Sequence, residues 1–77
     1  MPRLRNNASG HRLHLAAACA DLERWGEVTE HLEAARVLAP QWSRVQPLGR
    51  TVIGALVEHR GRRSERITEL VAHYGTA

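Results

Sequence analysis

Apolar residues recur along this chain at intervals of three and four positions, which is the spacing of one face of an α-helix. The first stripe predicts a helix that begins after a cap at Ser9 and ends where Gly26 interrupts the pattern. Its apolar members are Leu15, Ala18, Cys19, Leu22 and Trp25. Ala16 and Ala20 lie beside this stripe and are small enough to let a second helix approach closely. Residues 1–8 lack the periodicity, and we expect them to form a flexible arm.

A second stripe predicts a helix from about Glu27 to Leu38, which Pro40 stops because proline cannot continue a helix. A third helix begins at Pro47, since proline suits the first helical position. We interpret Gly54, inside this third helix, as a close contact between helices. The apolar positions of the two stripes are Val28, His31, Leu32, Ala35 and Leu38, then Leu48, Val52, Ala55, Leu56 and His59.

The fourth stripe consists of Ile67, Leu70, Val71 and Tyr74. It predicts a helix capped by Ser64 and ended by Gly75. Four helices joined by short turns predict an all-α domain of two antiparallel helical hairpins over residues 9–77. A chain of 77 residues has room for one core. It buries only about 60–65% of its unfolded surface, so we expect self-association, as a homodimer, to help stabilise it.

The formal net charge is +3, and all eleven basic residues are arginines. A GC-rich coding sequence would produce arginine without lysine, but arginine is also the side chain that binds phosphate in bidentate fashion. Four arginines surround the turn before the fourth predicted helix: Arg60, Arg62, Arg63 and Arg66. This cluster is either a solvated turn or an anion site, and the second interpretation makes a small nucleic-acid-binding domain the alternative function.

Catalytic, metal-binding and membrane motifs are missing from the sequence. Cys19 is a lone thiol on an apolar stripe, so it can form no internal disulfide and indicates no secreted protein. His11 and His14 share a helix face, but no further ligand completes a zinc site. No apolar run approaches the ~20 residues of a membrane span. We therefore expect a cytoplasmic protein that is not an enzyme and that has no cofactor or metal.

One stretch of the chain resembles a tetratricopeptide repeat. The matching residues are Leu15, Ala16, Cys19, Leu22, Trp25, Leu32, Ala35, Leu38 and Pro40. The resemblance implies a helical hairpin that binds a protein or peptide. Two positions depart from the family pattern, because Glu23 stands where the family has glycine and Val28 where it has a small residue.

A narrower resemblance covers residues 12–76. The segments Ala39–Trp42 and Arg44–Val52, the basic turn and the final Tyr-Gly are similar to the C-terminal region of actinobacterial transcriptional regulators that carry a helix-turn-helix domain of the xenobiotic-response-element type. The resemblance implies a sensor-type module that binds a protein or peptide and dimerises. We expect the binding groove between the first and third predicted helices. Its predicted contacts are His14, Ala18, Trp42, Arg44 and Arg50.

Overall fold

The computed structural model describes residues 2–75, and this part of the chain folds into five helices without a strand. The helices are α1 (Pro2–Asp21), α2 (Trp25–Leu38), α3 (Pro40–Arg44), α4 (Pro47–Arg60) and α5 (Glu65–Tyr74). The predicted all-α class is confirmed, with five helices in place of four. Within residues 2–75, no helix has the length and apolar character needed to cross a membrane.

The predicted start of the first helix is wrong. Helix α1 begins at Pro2, so residues 2–8, which we expected to be a flexible arm, are helical. Proline is compatible with the first helical turn, and the polar residues that follow gave no periodic signal. Ser9 is not a cap but a fully buried residue, and its hydroxyl donates a hydrogen bond to the Ala35 carbonyl at 2.8 Å.

Other boundaries agree better with the pattern. The predicted ends at Leu38 and Gly75 and the predicted start at Pro47 are confirmed. The connector between the second and third predicted helices contains the short helix α3, with Pro40 at its first position. Ser64 occupies the N-cap position of α5, although its side chain makes no capping hydrogen bond.

The core draws on four of the helices, and α1 faces it with a different side from the one predicted. Its buried apolar residues are Leu13, Ala16, Val28, Leu32, Ala35, Val52, Ile53, Leu56, Ile67, Leu70 and Tyr74. On α1, Leu13 and Ala16 point inward, whereas Ala18 and Leu22 of the predicted stripe are exposed. The prediction failed because α1 carries apolar residues on both faces, so that helical spacing alone fits either one.

Helices α1 and α2 form an antiparallel pair. Besides the Ser9 contact, Arg12 Nη1 donates a hydrogen bond to His31 Nδ1 at 3.0 Å, so that the start of α1 lies beside the end of α2. The turn between them, residues 22–24, places Glu23 at a φ of 58°, in the left-handed region. This is the position at which the tetratricopeptide pattern has glycine.

The start of α4 lies against the end of α5. A Cβ atom built on Gly49 would be 2.6 Å from Cδ1 of Tyr74, so no side chain fits there without movement. Gly54, which we predicted to be the close contact, is exposed and has nothing within 4 Å of its Cβ position. The Tyr74 hydroxyl donates a 2.6 Å hydrogen bond to the Leu32 carbonyl, which fastens the end of α5 to α2.

Candidate partner-binding surfaces

The five predicted groove residues lie on three helices. His14 and Ala18 are exposed on α1, Arg44 is exposed on α3, and Arg50 is exposed on α4. Trp42, on α3, is half-buried and covers α1, because a Cβ on Gly10 would lie 3.1 Å from Cη2 of its ring. Trp42 and Arg44 lie on separate cavities, so the predicted set is not one continuous groove.

Trp42 contributes to an open groove of about 830 Å³ between the start of α1 and helix α3. We call it the Trp42 groove. Its lining residues are Arg5, Asn6, Leu38, Ala39, Pro40, Gln41 and Trp42. Sequence reasoning missed Arg5 and Asn6 because it placed both in a flexible arm. Pockets of this size, with an apolar lining and a few polar groups, are typical of ligand and peptide sites.

Arg44 lines a smaller cavity of about 230 Å³ together with Arg36, Glu69, Ala72 and His73. His73 Nε2 lies 2.9 Å from the buried Ser43 hydroxyl, at hydrogen-bond distance. Burial lowers the pKa of His73, and the positive charges of Arg36 and Arg44 lower it further. The neutral imidazole is therefore favoured in the folded protein.

The predicted basic cluster is divided by an ion pair. Arg66 Nε donates a 2.9 Å hydrogen bond to Glu33 Oε2, and its Nη2 donates to the other carboxylate oxygen. These hydrogen bonds are the main reason why the pKa of Glu33 is lowered. Arg60, Arg62 and Arg63 remain exposed around the turn. Arg66 thus joins α5 to α2. The other three arginines of the predicted cluster take no part in this ion pair.

Thr68, in the first turn of α5, makes local hydrogen bonds. The hydroxyl of Thr68 lies 3.0 Å from the Ser64 carbonyl and 3.1 Å from the Arg62 carbonyl and donates to these two oxygens. A hydroxyl that donates to its own helix terminus has no second proton for a base edge. The Thr68 hydroxyl could therefore only accept a hydrogen bond from a nucleic acid.

The sequence predicts Trp25 on the apolar stripe of the first helix, but the structure places it at the start of α2. The ring is half-buried and stacks on His59, with ring centroids 4.5 Å apart and an angle of 19° between the planes. This stack joins the start of α2 to the end of α4. His59 is exposed beyond it, so the pair forms the edge of the fold and not its interior.

A second surface is the side of α1 that faces away from the core. We call it the outer face of α1. Its residues are Leu4, Ala8, His11, Leu15 and Ala18, together with Leu22 directly after the helix, whose N–H still donates a 3.2 Å hydrogen bond to the Ala18 carbonyl. Leu4 is 65% exposed and Leu22 64% exposed; Ala8, His11 and Ala18 are exposed as well, and Leu15 is half-buried. Leu4 and Leu22 are thus the large apolar side chains that this face leaves exposed.

Among residues 2–75, no three histidine, cysteine or carboxylate side chains converge to hold a metal ion. Cys19 is a half-buried free thiol. Comparison with known proteins finds no matching family model, no similar curated protein and no similar solved structure.

Proposed function

We infer that this chain is a non-catalytic module that binds a protein or peptide, and that the Trp42 groove receives the ligand. The observation that supports this is the groove itself, whose lining combines the apolar side chains of Trp42 and Pro40 with the basic side chain of Arg5. The chain resembles the sensor region of helix-turn-helix regulators and a tetratricopeptide hairpin, and this resemblance favours a regulatory role. The binding of a peptide by a small helical domain is the activity that we propose.

The lining of the groove specifies a ligand chemistry. Trp42 offers a large, half-buried aromatic surface, which is the kind of side chain that dominates binding energies at protein interfaces. The exposed guanidinium of Arg5 can form a bidentate pair with a carboxylate. We therefore expect the ligand to be an extended or helical peptide with an apolar anchor followed closely by an acidic residue.

Selection from a random peptide library tests this proposal. Peptides selected on the intact protein should share an apolar–acidic motif and should compete with one another. Trp42→Ala should weaken their binding by about tenfold or more, the loss typical of an interface anchor. Circular dichroism on the same variant shows whether it remains folded, because Trp42 also packs on Gly10.

Arg5→Glu provides the second measurement, since Arg5 is exposed and its replacement leaves the core intact. It should weaken acidic peptides more than versions in which the acid is replaced by glutamine. Arg24→Glu is the control: this exposed arginine lies in the turn between α1 and α2 and does not line the groove. Equal losses for Arg5→Glu and Arg24→Glu would contradict binding in the Trp42 groove.

The alternative function, nucleic-acid binding by the Arg60–Arg66 turn, has its own test. A nucleic-acid-binding domain should bind random-sequence DNA with an affinity that falls steeply as salt is raised, and Arg62→Ala and Arg63→Ala should each reduce that salt dependence. The Arg66–Glu33 ion pair counts against this alternative. Steeply salt-dependent DNA binding together with no selectable peptide would replace the peptide-binding proposal with the alternative.

A further inference from the structure

The outer face of α1 has the spacing of a coiled-coil seam. Leu4, Ala8, His11, Leu15, Ala18 and Leu22 follow one another at intervals of four, three, four, three and four residues. Alternation of this kind keeps one line of side chains facing a partner helix along the whole length of a pair. Since the opposite face of α1 is already packed on the core, this seam has no partner among residues 2–75.

The spacing of the residues in this seam is symmetric about its centre. Read from either end, the intervals are the same, and position 13 lies at the middle. A second copy of α1, aligned antiparallel about that position, places Leu4 opposite Leu22, Ala8 opposite Ala18 and His11 opposite Leu15. A two-fold interface requires reciprocal contacts: where one residue contacts a second residue of the other copy, that second residue in the first copy contacts the first residue in the other. The symmetric spacing of the seam satisfies this requirement.

The charges on α1 favour the same arrangement. The first turn of α1 has no acidic residue and its last turn no basic one, so Arg3 and Asp21 both oppose the helix dipole of their own chain. Each of them precedes a leucine of the outer face by one residue, and they therefore lie along the same edge of the seam. In an antiparallel pair, Arg3 of one copy comes beside Asp21 of the other. In a parallel pair, residues of the same edge lie on opposite flanks of the interface, so this pairing is lost.

We propose that the chain forms a homodimer in which the outer faces of two α1 helices pack antiparallel, with Leu4 of each copy against Leu22 of the other. This surface is separate from the Trp42 groove, so the dimer leaves that groove open. An interface made by one helix of 20 residues from each copy, about 30 Å long, is at the small end of stable protein interfaces. The dimer is therefore concentration-dependent.

Sedimentation of the full chain over a wide range of concentrations tests the dimer. The expected result is a shift from 8.6 kDa to twice that mass as the concentration rises. Leu22→Glu should abolish the shift while the helical circular dichroism remains, because Leu22 is exposed in the monomer. Ala18 is also exposed, and Ala18→Glu should abolish the shift as well. This second variant keeps the test valid if Leu22→Glu does not fold.

Val37→Glu is the matched control, since Val37 is 76% exposed but lies on α2. It should leave the dimer unchanged. A chain that stays at 8.6 kDa at every concentration overturns the proposal. So does a dimer that survives both Leu22→Glu and Ala18→Glu, because it would use another surface. Neither result affects the peptide-binding test, which measures how substitutions of Trp42 and Arg5 change the affinity for peptides.

The orientation is tested by cross-linking and by charge exchange. In a Cys19→Ser background, the double variant Leu4→Cys/Leu22→Cys should form an intermolecular disulfide, and each single cysteine variant should not. Cross-linking of the single variants would show a parallel pair and overturn the antiparallel arrangement. Arg3→Glu and Asp21→Arg should each weaken the dimer at low salt, and the two changes together should restore it. Failure of the double variant to recover would remove the charge pairing from the proposal.

Discussion

The ring of Tyr74 lies directly against the backbone of Gly49, where an added Cβ would be 2.6 Å from Cδ1 and 2.9 Å from Cε1. This contact holds the start of α4 against the end of α5, and the ring is fully buried. A side chain at position 49 would therefore displace the Tyr74 ring.

Gly49→Ala should therefore destabilise the protein, although alanine is the better helix former. Overpacking costs about 1–3 kcal/mol, and the gain in helix propensity offsets about 1 kcal/mol of it. Gly54→Ala is the matched control, since Gly54 lies in the same helix with open space around its Cβ position, and it should stabilise by up to about 1 kcal/mol. Urea unfolding of both variants measures the difference. Shifts in the same direction would contradict the contact with Tyr74.

The ionisation of Tyr74 should be displaced to high pH. Burial raises its pKa to about 12, and Ser43 and Arg36 oppose this shift only in part. Because the folded pKa lies above the ordinary value near 10, the stabilisation is complete below pH ~10 and is lost as the pH rises towards 12. Tyr74 is the single tyrosine of the chain, so the ultraviolet absorbance of tyrosinate reports on it alone. A midpoint near 10 in the folded protein would show that the hydroxyl is open to water.

His73 should make stability fall as the solution becomes acidic. Its pKa is lowered by burial and by Arg36 and Arg44, so the folded protein takes up this proton at a lower pH than the unfolded chain does. The stabilisation is complete above the ordinary histidine pKa of about 6.5 and is lost as the pH falls below it towards the folded value. The free energy of unfolding, followed from pH ~7.5 to ~5, should therefore decline less in His73→Gln than in the unsubstituted protein. An identical decline in the two proteins would exclude this role.

Glu23 occupies a backbone conformation that glycine adopts more readily. Its φ of 58° costs a residue with a side chain about 1–2 kcal/mol, and the freedom that glycine adds to the unfolded chain is worth about 0.4–1 kcal/mol. Glu23→Gly should thus raise the stability by up to about 1 kcal/mol. Glu30→Gly, at an exposed position inside α2, should lower it by about 1 kcal/mol. Thermal unfolding separates the two, and a loss of stability in both would contradict the left-handed turn.

The sequence alone determined the helical class and three of the helix limits. Helices α2, α4 and α5 each have one apolar face, and the limits at Leu38, Pro47 and Gly75 follow from local chemistry: a proline that cannot continue a helix, a proline that suits its first turn and a glycine that ends it. Local rules of this kind act over a few residues, so they are readable without the fold.

Tertiary structure decided what local spacing left open. Both faces of α1 are apolar, and only packing against α2 and α4 selects Leu13 and Ala16 for the core and leaves Leu22 outside. Tertiary packing likewise brings the Tyr74 ring against Gly49 and leaves Gly54 exposed. The sequence could not show this, because the distance between two helices depends on all the side chains packed between them. The Trp42 groove exists because residues 2–8 are helical and reach α3, a contact between segments more than 30 positions apart. The 3.6-residue periodicity of a helix determines which side chains share a face. The volume and position of the neighbouring helices determine which face is buried.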